Sequence, residues 1–173
     1  EGNSHRSYIT NLAYQLMISG YDVCAWNFRG CSGEMNEQLR MYHSGSTEDL
    51  ETVVNYIKPQ YDEIYMVGFS MGGNLTLKYL GERGQELNTK IKGAVTFSVP
   101  TDLAGSSKKL EKWYNRIYMN RFLSTLKSKL VIKQALFPNE ISLNNFESIK
   151  TFREFDERYT APLHGFESAD DYY

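Results

Sequence analysis

The chain has 173 residues, 41% of them hydrophobic and 23% charged, with a formal net charge of −2. This length fits one domain and this composition a folded globular one, and the slight acidity argues against a general nucleic-acid binder. No window approaches the roughly 18 consecutive apolar residues of a membrane span, and the opening Glu1-Gly2-Asn3-Ser4 lacks the basic and apolar regions of a signal peptide.

Ile9, Leu12, Ala13, Leu16 and Met17 recur at helical spacing, and Gly20 ends that helix. Val23 to Phe28 then reads as a buried strand. Arg29-Gly30-Cys31-Ser32-Gly33-Glu34 is a loop by its glycines. Arg29 and Glu34 either shape a ligand pocket at the sheet edge or hold the loop in place. Cys24 and Cys31 are too few for a disulfide framework. Cys24 is expected to be a small buried hydrophobe, and both thiols to be reduced, as in a cytoplasmic protein.

Leu50, Val53, Val54 and Ile57 form the apolar stripe of a second helix. Ser46 or Thr47 stands at its cap, Glu48 and Asp49 sit in the first turn where the helix dipole favours anions, and Pro59 stops it. Ile64 to Val67 is a second buried strand, running into Gly68-Phe69-Ser70-Met71-Gly72-Gly73. A helix with Leu75, Tyr79 and Leu80 follows, closed near Gly81 to Gly84, and Ile91 to Val99 is a third strand. This alternation is that of an α/β fold with a parallel sheet covered on both faces. After Pro100 the signals are mainly helical, with Leu110, Trp113 and Ile117 at helical spacing. The expected division is therefore a βα core over 1–100 and a helical cap over 101–173.

Gly68-Phe69-Ser70-Met71-Gly72 has the G-x-S-x-G pattern of a nucleophile elbow, with an apolar strand before it and a helix after it. A serine hydroxyl is a weak nucleophile that must be exposed, oriented and deprotonated. A strained strand-to-helix turn lifts it above the sheet, and the backbone N–H of Met71 can bind the oxyanion formed during acyl transfer. Gly68 and Gly72 are expected to flank Ser70 because a Cβ at either would clash with the neighbouring chain. No lysine follows Gly73, as a phosphate-binding loop would require, and Gly68-Phe69-Ser70 breaks a dinucleotide fingerprint.

Four stretches together resemble one branch of the α/β-hydrolase superfamily, the YheT-like esterases of bacteria and the related eukaryotic α/β-hydrolase-domain lipases. They are Asn27-Phe28-Arg29-Gly30-Cys31-Ser32-Gly33-Glu34, Tyr42-His43-Ser44-Gly45-Ser46-Thr47-Glu48-Asp49-Leu50, the elbow through Asn74, and Phe155-Asp156 with Thr160-Ala161-Pro162-Leu163-His164-Gly165-Phe166. The resemblance implies an α/β-hydrolase fold, a mostly parallel sheet with flanking helices and a helical cap. It also implies a serine hydrolase that cleaves short- or medium-chain acyl esters or acylglycerols through a Ser70 acyl-enzyme. It calls for no metal or organic cofactor. The family's H-G-x-x-G oxyanion loop has only Glu1-Gly2 as a counterpart, so the chain reads as an internal portion, without the early and late strands and inactive by itself.

The triad order Ser, acid, His leaves His164 as the one histidine after Ser70. Its context is helical, and a structural role is expected. His43 is expected to order the turn before the second helix, Asp102 to form a turn, and His5 carries little information. Residues 108–133 hold Lys108, Lys109, Lys112, Arg116, Arg121, Lys127, Lys129 and Lys133 against one acid, Glu111, interleaved with Trp113, Tyr114, Ile117, Tyr118 and Phe122. A solvated cap face is the reading adopted, with weak contact to a membrane surface as the second. Two functional alternatives stay open: a non-catalytic binding protein of the same fold, and an acyltransferase using the same acyl-enzyme. Oligomeric state is not legible.

Overall fold

In the computed structural model, which describes residues 2–173, the chain packs into two compact units, one of residues 43–106 and one of residues 2–42 with 107–173. The first is a helix followed by a βαβ arrangement. Strand β1 (Ile64–Phe69) runs parallel to β2 (Ile91–Phe97), with Ile64 opposite Ile91 and Tyr65 through Phe69 opposite Gly93 through Phe97. Lys92 is the extra residue that shifts the register. Helix α3 (Met71–Arg83) packs on both strands, and α2 (Thr47–Ile57) packs on α3. The contact faces are those the periodicity marks: Leu50 and Val54 of α2, and Leu75 and Tyr79 of α3, are buried.

The sheet corrects one expectation. β1 and β2 are not buried on both faces. Ile64, Met66 and Gly68 point inward, while Tyr65 is 52% and Val95 55% exposed, and Val67 and Phe97 are also outward. Within this unit α3 covers a single face of the sheet, so β1 alternates with period two, whereas β2, past its extra residue Lys92, does not keep that alternation.

The second unit is helical. Its core gathers Met41, Met119, Leu123, Leu126, Leu130, Ile141, Phe146, Ile149, Phe155 and Tyr159. Helix α5 (Arg116–Leu136) supplies the spine: Met119, Leu123, Leu126, Leu130 and Lys133 are buried at spacings of four, three, four and three. Fully burying one of these leucine or methionine side chains stabilises by about 1.5–3 kcal/mol. Thr151 and Glu154 close a reciprocal capping box on the short helix α6 (Phe152–Phe155). The helical path continues through a π turn at Asp156–Thr160 and α7 (Ala161–His164), and Gly165 at φ 78° ends it. A final short helix, α8, covers Ala169–Tyr172.

Two further expectations fail in this unit. Residues 21–28 form no strand, and Val23 and Cys24 are exposed. An apolar run makes a strand only where a neighbour completes its ladder, and here the ties are side-chain ones. Asn27 exchanges hydrogen bonds with Ser4, and Phe28 stacks on Tyr42 with ring centroids 5.7 Å apart. Leu110, Trp113 and Ile117 do not share a helix either. α4 (Leu103–Leu110) ends, a 3₁₀ turn takes Trp113–Asn115, and α5 begins at Arg116. The first helix, α1 (Ser7–Ile18), forms where expected, but none of its residues is fully buried.

Candidate active site

The turn between β1 and α3 is built from backbone. Ser70 adopts φ 51° and ψ −119°, a positive-φ conformation outside the left-handed helical well and rare for a residue with a side chain. Such a residue costs about 1–3 kcal/mol and persists where its surroundings over-determine it. Here its N–H donates to the Phe97 carbonyl at 2.8 Å, extending the β1–β2 ladder by one residue. Its carbonyl accepts from Asn74 N–H at 3.0 Å, the opening bond of α3. The side chain of Ser70 is exposed. Met71 is the first residue of α3, where N–H groups have no acceptor within the helix and the dipole is positive.

Close approach around the turn falls on Gly68 and Gly73. A Cβ on Gly68 would lie 2.6 Å from the Gly72 carbonyl oxygen and 2.7 Å from Gly73 N and Cα. One on Gly73 would lie 2.6 Å from Val99 Cγ2. Gly72, expected to be the second steric glycine, is open instead: a Cβ there would meet nothing within 4 Å, because that position points away from the strand. The signal for the true partner was the second glycine of the Gly72-Gly73 pair. Asn74 adds a tether that sequence reasoning missed: its side-chain Nδ2 donates to the Pro100 carbonyl at 2.9 Å, fixing the start of α3 to the chain just after β2.

Farther along α3, Tyr79 is buried and donates a 2.6 Å hydrogen bond to Glu51 of α2, which also pairs with Arg83 at 3.2 Å. The Tyr79 bond, with help from Arg83, holds the Glu51 carboxyl below the usual carboxylate range. Burial, and next the carboxylate beside it, push the Tyr79 phenol up to about 12.

The other residues named from sequence have structural partners. Asp102 Oδ1 accepts from Gly105 N–H at 2.8 Å, so it caps the first turn of α4. His43 Nδ1 accepts from Gly45 N–H at 3.1 Å, and its own N–H donates to Ser46 Oγ at 3.3 Å. Ser46 stands at the cap position of α2, yet its hydroxyl serves this turn and not a helix N–H. His164 has Nδ1 2.7 Å from the Thr160 carbonyl and Nε2 2.9 Å from the Met41 carbonyl, so whichever ring nitrogen carries the proton has a carbonyl to donate to. Arg29 donates to Gln38 Oε1 at 3.0 Å, whereas Glu34 is exposed.

Residues 108–133 are not one surface. Lys133 is fully buried and donates to the carbonyls of Asn36 (2.7 Å) and Gln38, and burial pushes its ammonium down from the usual lysine range. Lys129 lies 2.9 Å from the sulfur of buried Cys31 and 4.6 Å from the Tyr42 ring centroid. Lys127 pairs with Glu147. A cleft of about 530 Å³ in the helical unit is lined by Ser148, Arg153, Glu157 and Arg158 among others. Its charges are matched internally, Arg153 with Asp170 and Arg158 with the Ser142 and Asn144 carbonyls. Among the described residues no cluster of His, Cys, Asp and Glu is arranged to hold a metal ion, and no helix is long and apolar enough to cross a membrane.

Residues 2–156 match the family model described as serine aminopeptidase S33, a hydrolase family. The putative esterase YheT of Escherichia coli (strain K12) is 34% identical across 100% of this chain and 52% of its own length. Phospholipase ABHD3 of Bos taurus is 37% identical across 99% of this chain and 42% of its own. The monoacylglycerol lipase of Saccharomyces cerevisiae is 26% identical across 99% of this chain and 40% of its own. The chain thus spans about half the length, or less, of these curated relatives. No solved structure matches. With a parallel βαβ unit turning through a strained serine, and a family match over most of its length, the chain belongs to the serine aminopeptidase S33 family of α/β-hydrolases.

Proposed function

We propose that Ser70 is the nucleophile of a serine hydrolase acting on carboxylic esters, of the short- or medium-chain acyl ester or acylglycerol class. The observation that carries the reading is the backbone of Ser70, held at φ 51° between a ladder bond and a helix bond with its side chain exposed. The strain keeps the hydroxyl clear of the turn, beside the N-terminus of α3. The hydroxyl attacks the ester carbonyl carbon as its proton passes to a general base. The carbonyl oxygen takes the negative charge and accepts from Met71 N–H. Collapse breaks the carbon–oxygen bond, the base protonates the departing alcohol, and water then cleaves the acyl-serine. The names of the relatives, an esterase, a phospholipase and a lipase, favour an ester or lipid substrate.

The test is fluorophosphonate labelling of the full-length protein together with hydrolysis of a short-chain nitrophenyl ester. Labelling at Ser70 is expected, and Ser70→Ala should abolish it and lower turnover by several orders of magnitude, roughly 10⁴-fold or more. Near-normal turnover in Ser70→Ala would overturn the assignment. A full-length protein that neither labels nor hydrolyses would be the non-catalytic binding protein. Acyl transfer to added glycerol outrunning release to water would make it an acyltransferase. The 173 residues assayed alone should turn over slowly, because both ring nitrogens of His164 lie against the carbonyl oxygens of Thr160 and Met41, contacts that do not involve Ser70.

A further inference from the structure

With Lys127, Lys129 and Lys133 engaged within the helical unit, the free part of the basic segment narrows to 108–121, where α4 ends, the 3₁₀ turn intervenes and α5 starts. Trp113 is 84% and Ile117 87% exposed, and Tyr114 and Tyr118 are about half exposed. Lys108, Lys109, Lys112, Arg116 and Arg121 are exposed around them, against the single acid Glu111. Met119 and Leu123 turn into the core. With 3.6 residues per turn, Ile117 and Arg121 therefore fall on the opposite side of α5. An indole and an aliphatic side chain thus stand exposed in a segment whose exposed charged residues are nearly all cations.

A polyanionic protein would satisfy the cations but would leave Trp113 and Ile117 facing polar atoms, and a single-stranded nucleic acid can stack a base on Trp113 but offers no apolar layer to Ile117. A lipid surface suits both. Tryptophan and tyrosine favour the layer between headgroups and acyl chains, and lysine and arginine bury their stems while reaching phosphate. We propose that the corner formed by residues 108–121 docks the protein on an anionic lipid bilayer, with Trp113 and Ile117 entering the headgroup–acyl boundary and Lys108, Lys109, Lys112, Arg116 and Arg121 meeting lipid phosphates. This goes beyond ester hydrolysis and does not depend on it, since binding needs no turnover.

The experiment is co-sedimentation of full-length protein carrying Ser70→Ala with vesicles of phosphatidylcholine alone, or of phosphatidylcholine with phosphatidylserine. Binding should favour the anionic vesicles by about tenfold or more and fade as salt rises. The double substitution Lys112→Glu, Arg116→Glu should lower that binding by at least about tenfold. Trp113→Ala, Ile117→Ala should lower binding to both vesicle types severalfold. Lys112→Gln, Arg116→Gln serves where charge reversal disturbs folding, and thermal melts matching the parent's establish that each variant is folded. Equal binding to the two vesicle types would overturn the proposal, as would unchanged binding in the charge variants. Retention on single-stranded RNA stronger than on the anionic vesicles at the same salt would overturn it in favour of a polyanion site.

Discussion

Around Gly68 the nearest atoms that a side chain would meet are backbone: the Gly72 carbonyl and Gly73 N and Cα. Around Leu130 the surroundings are other side chains, from Met41 and Leu126 to Phe146 and Tyr159. The unit of residues 43–106 thus sets its candidate site by main-chain geometry, with a strained serine clamped between a ladder bond and a helix bond. The unit of 2–42 with 107–173 is set by side-chain volume and by polar groups such as Lys133, which satisfies loop carbonyls from inside. The difference teaches where each unit is intolerant. The first should reject a single added methyl group at particular glycines and accept it one residue away. The second should respond to lost volume and lost donors in a graded way.

The largest effect that would break this contrast lies at Gly68. Gly68→Ala forces a Cβ against backbone that cannot rotate aside, and a loss of about 4 kcal/mol or failure to fold is expected, read from urea denaturation of the purified protein. Leu130→Ala removes a fully buried side chain from the helical core and should cost about 3 kcal/mol in the same assay. Comparable tolerance of Gly68→Ala and of an exposed alanine substitution would erase the distinction between the units. Lys133→Met keeps the volume and deletes the donor, leaving the Asn36 and Gln38 carbonyls without it. A cost of about 2 kcal/mol is expected. A Lys133→Met protein as stable as the parent would mean that those carbonyls find water instead.

Gly72→Ala sharpens the comparison from the other side. Nothing lies within 4 Å of an added Cβ there, and the residue is in the first turn of α3. Replacing glycine in a helix by alanine gains up to about 1 kcal/mol, so a slightly raised melting temperature is expected. A large drop would show that the site demands glycine at Gly72 after all.

What could be read in the sequence follows the same line. The strand–Ser–helix turn, the α2 stripe of Leu50 and Val54, and the absence of a further strand after β2 among the described residues depend on local pattern, and local pattern is visible. The role of Gly73 over Gly72 depends on where Val99 and the Gly68 backbone come near, which the motif spacing does not encode. The segment 23–28 has the composition of a strand, but a strand also needs a partner, and partnership is a non-local property. Lys127, Lys129 and Lys133 read as part of a charged face because charge is visible in sequence, while burial against Cys31 or the Asn36 carbonyl is not. The Thr151-Phe152-Arg153-Glu154 capping box was within reach, since the T-x-x-E spacing alone marks a helix start.

The smallest effect concerns the link between α2 and α3. Tyr79→Phe deletes the hydroxyl that donates to Glu51 at 2.6 Å and leaves the ring in place. A cost of about 1 kcal/mol is expected near neutral pH. Its pH dependence distinguishes a real bond from a packing defect. Glu51 has a folded pKa below its ordinary value, so its contribution is present above the ordinary carboxylate range and is lost as pH falls through the lowered folded value. Tyr79 has a folded pKa raised from about 10 to about 12, so its contribution is complete below about pH 10 and is lost as pH rises through about 12. The stability gap between the parent and Tyr79→Phe should therefore be flat through the neutral range and narrow at both extremes, measured by urea midpoints across a pH series. A gap constant into acid and alkali would mean that the Tyr79 hydroxyl contributes nothing through Glu51, and that α2 is held to α3 by its apolar stripe alone.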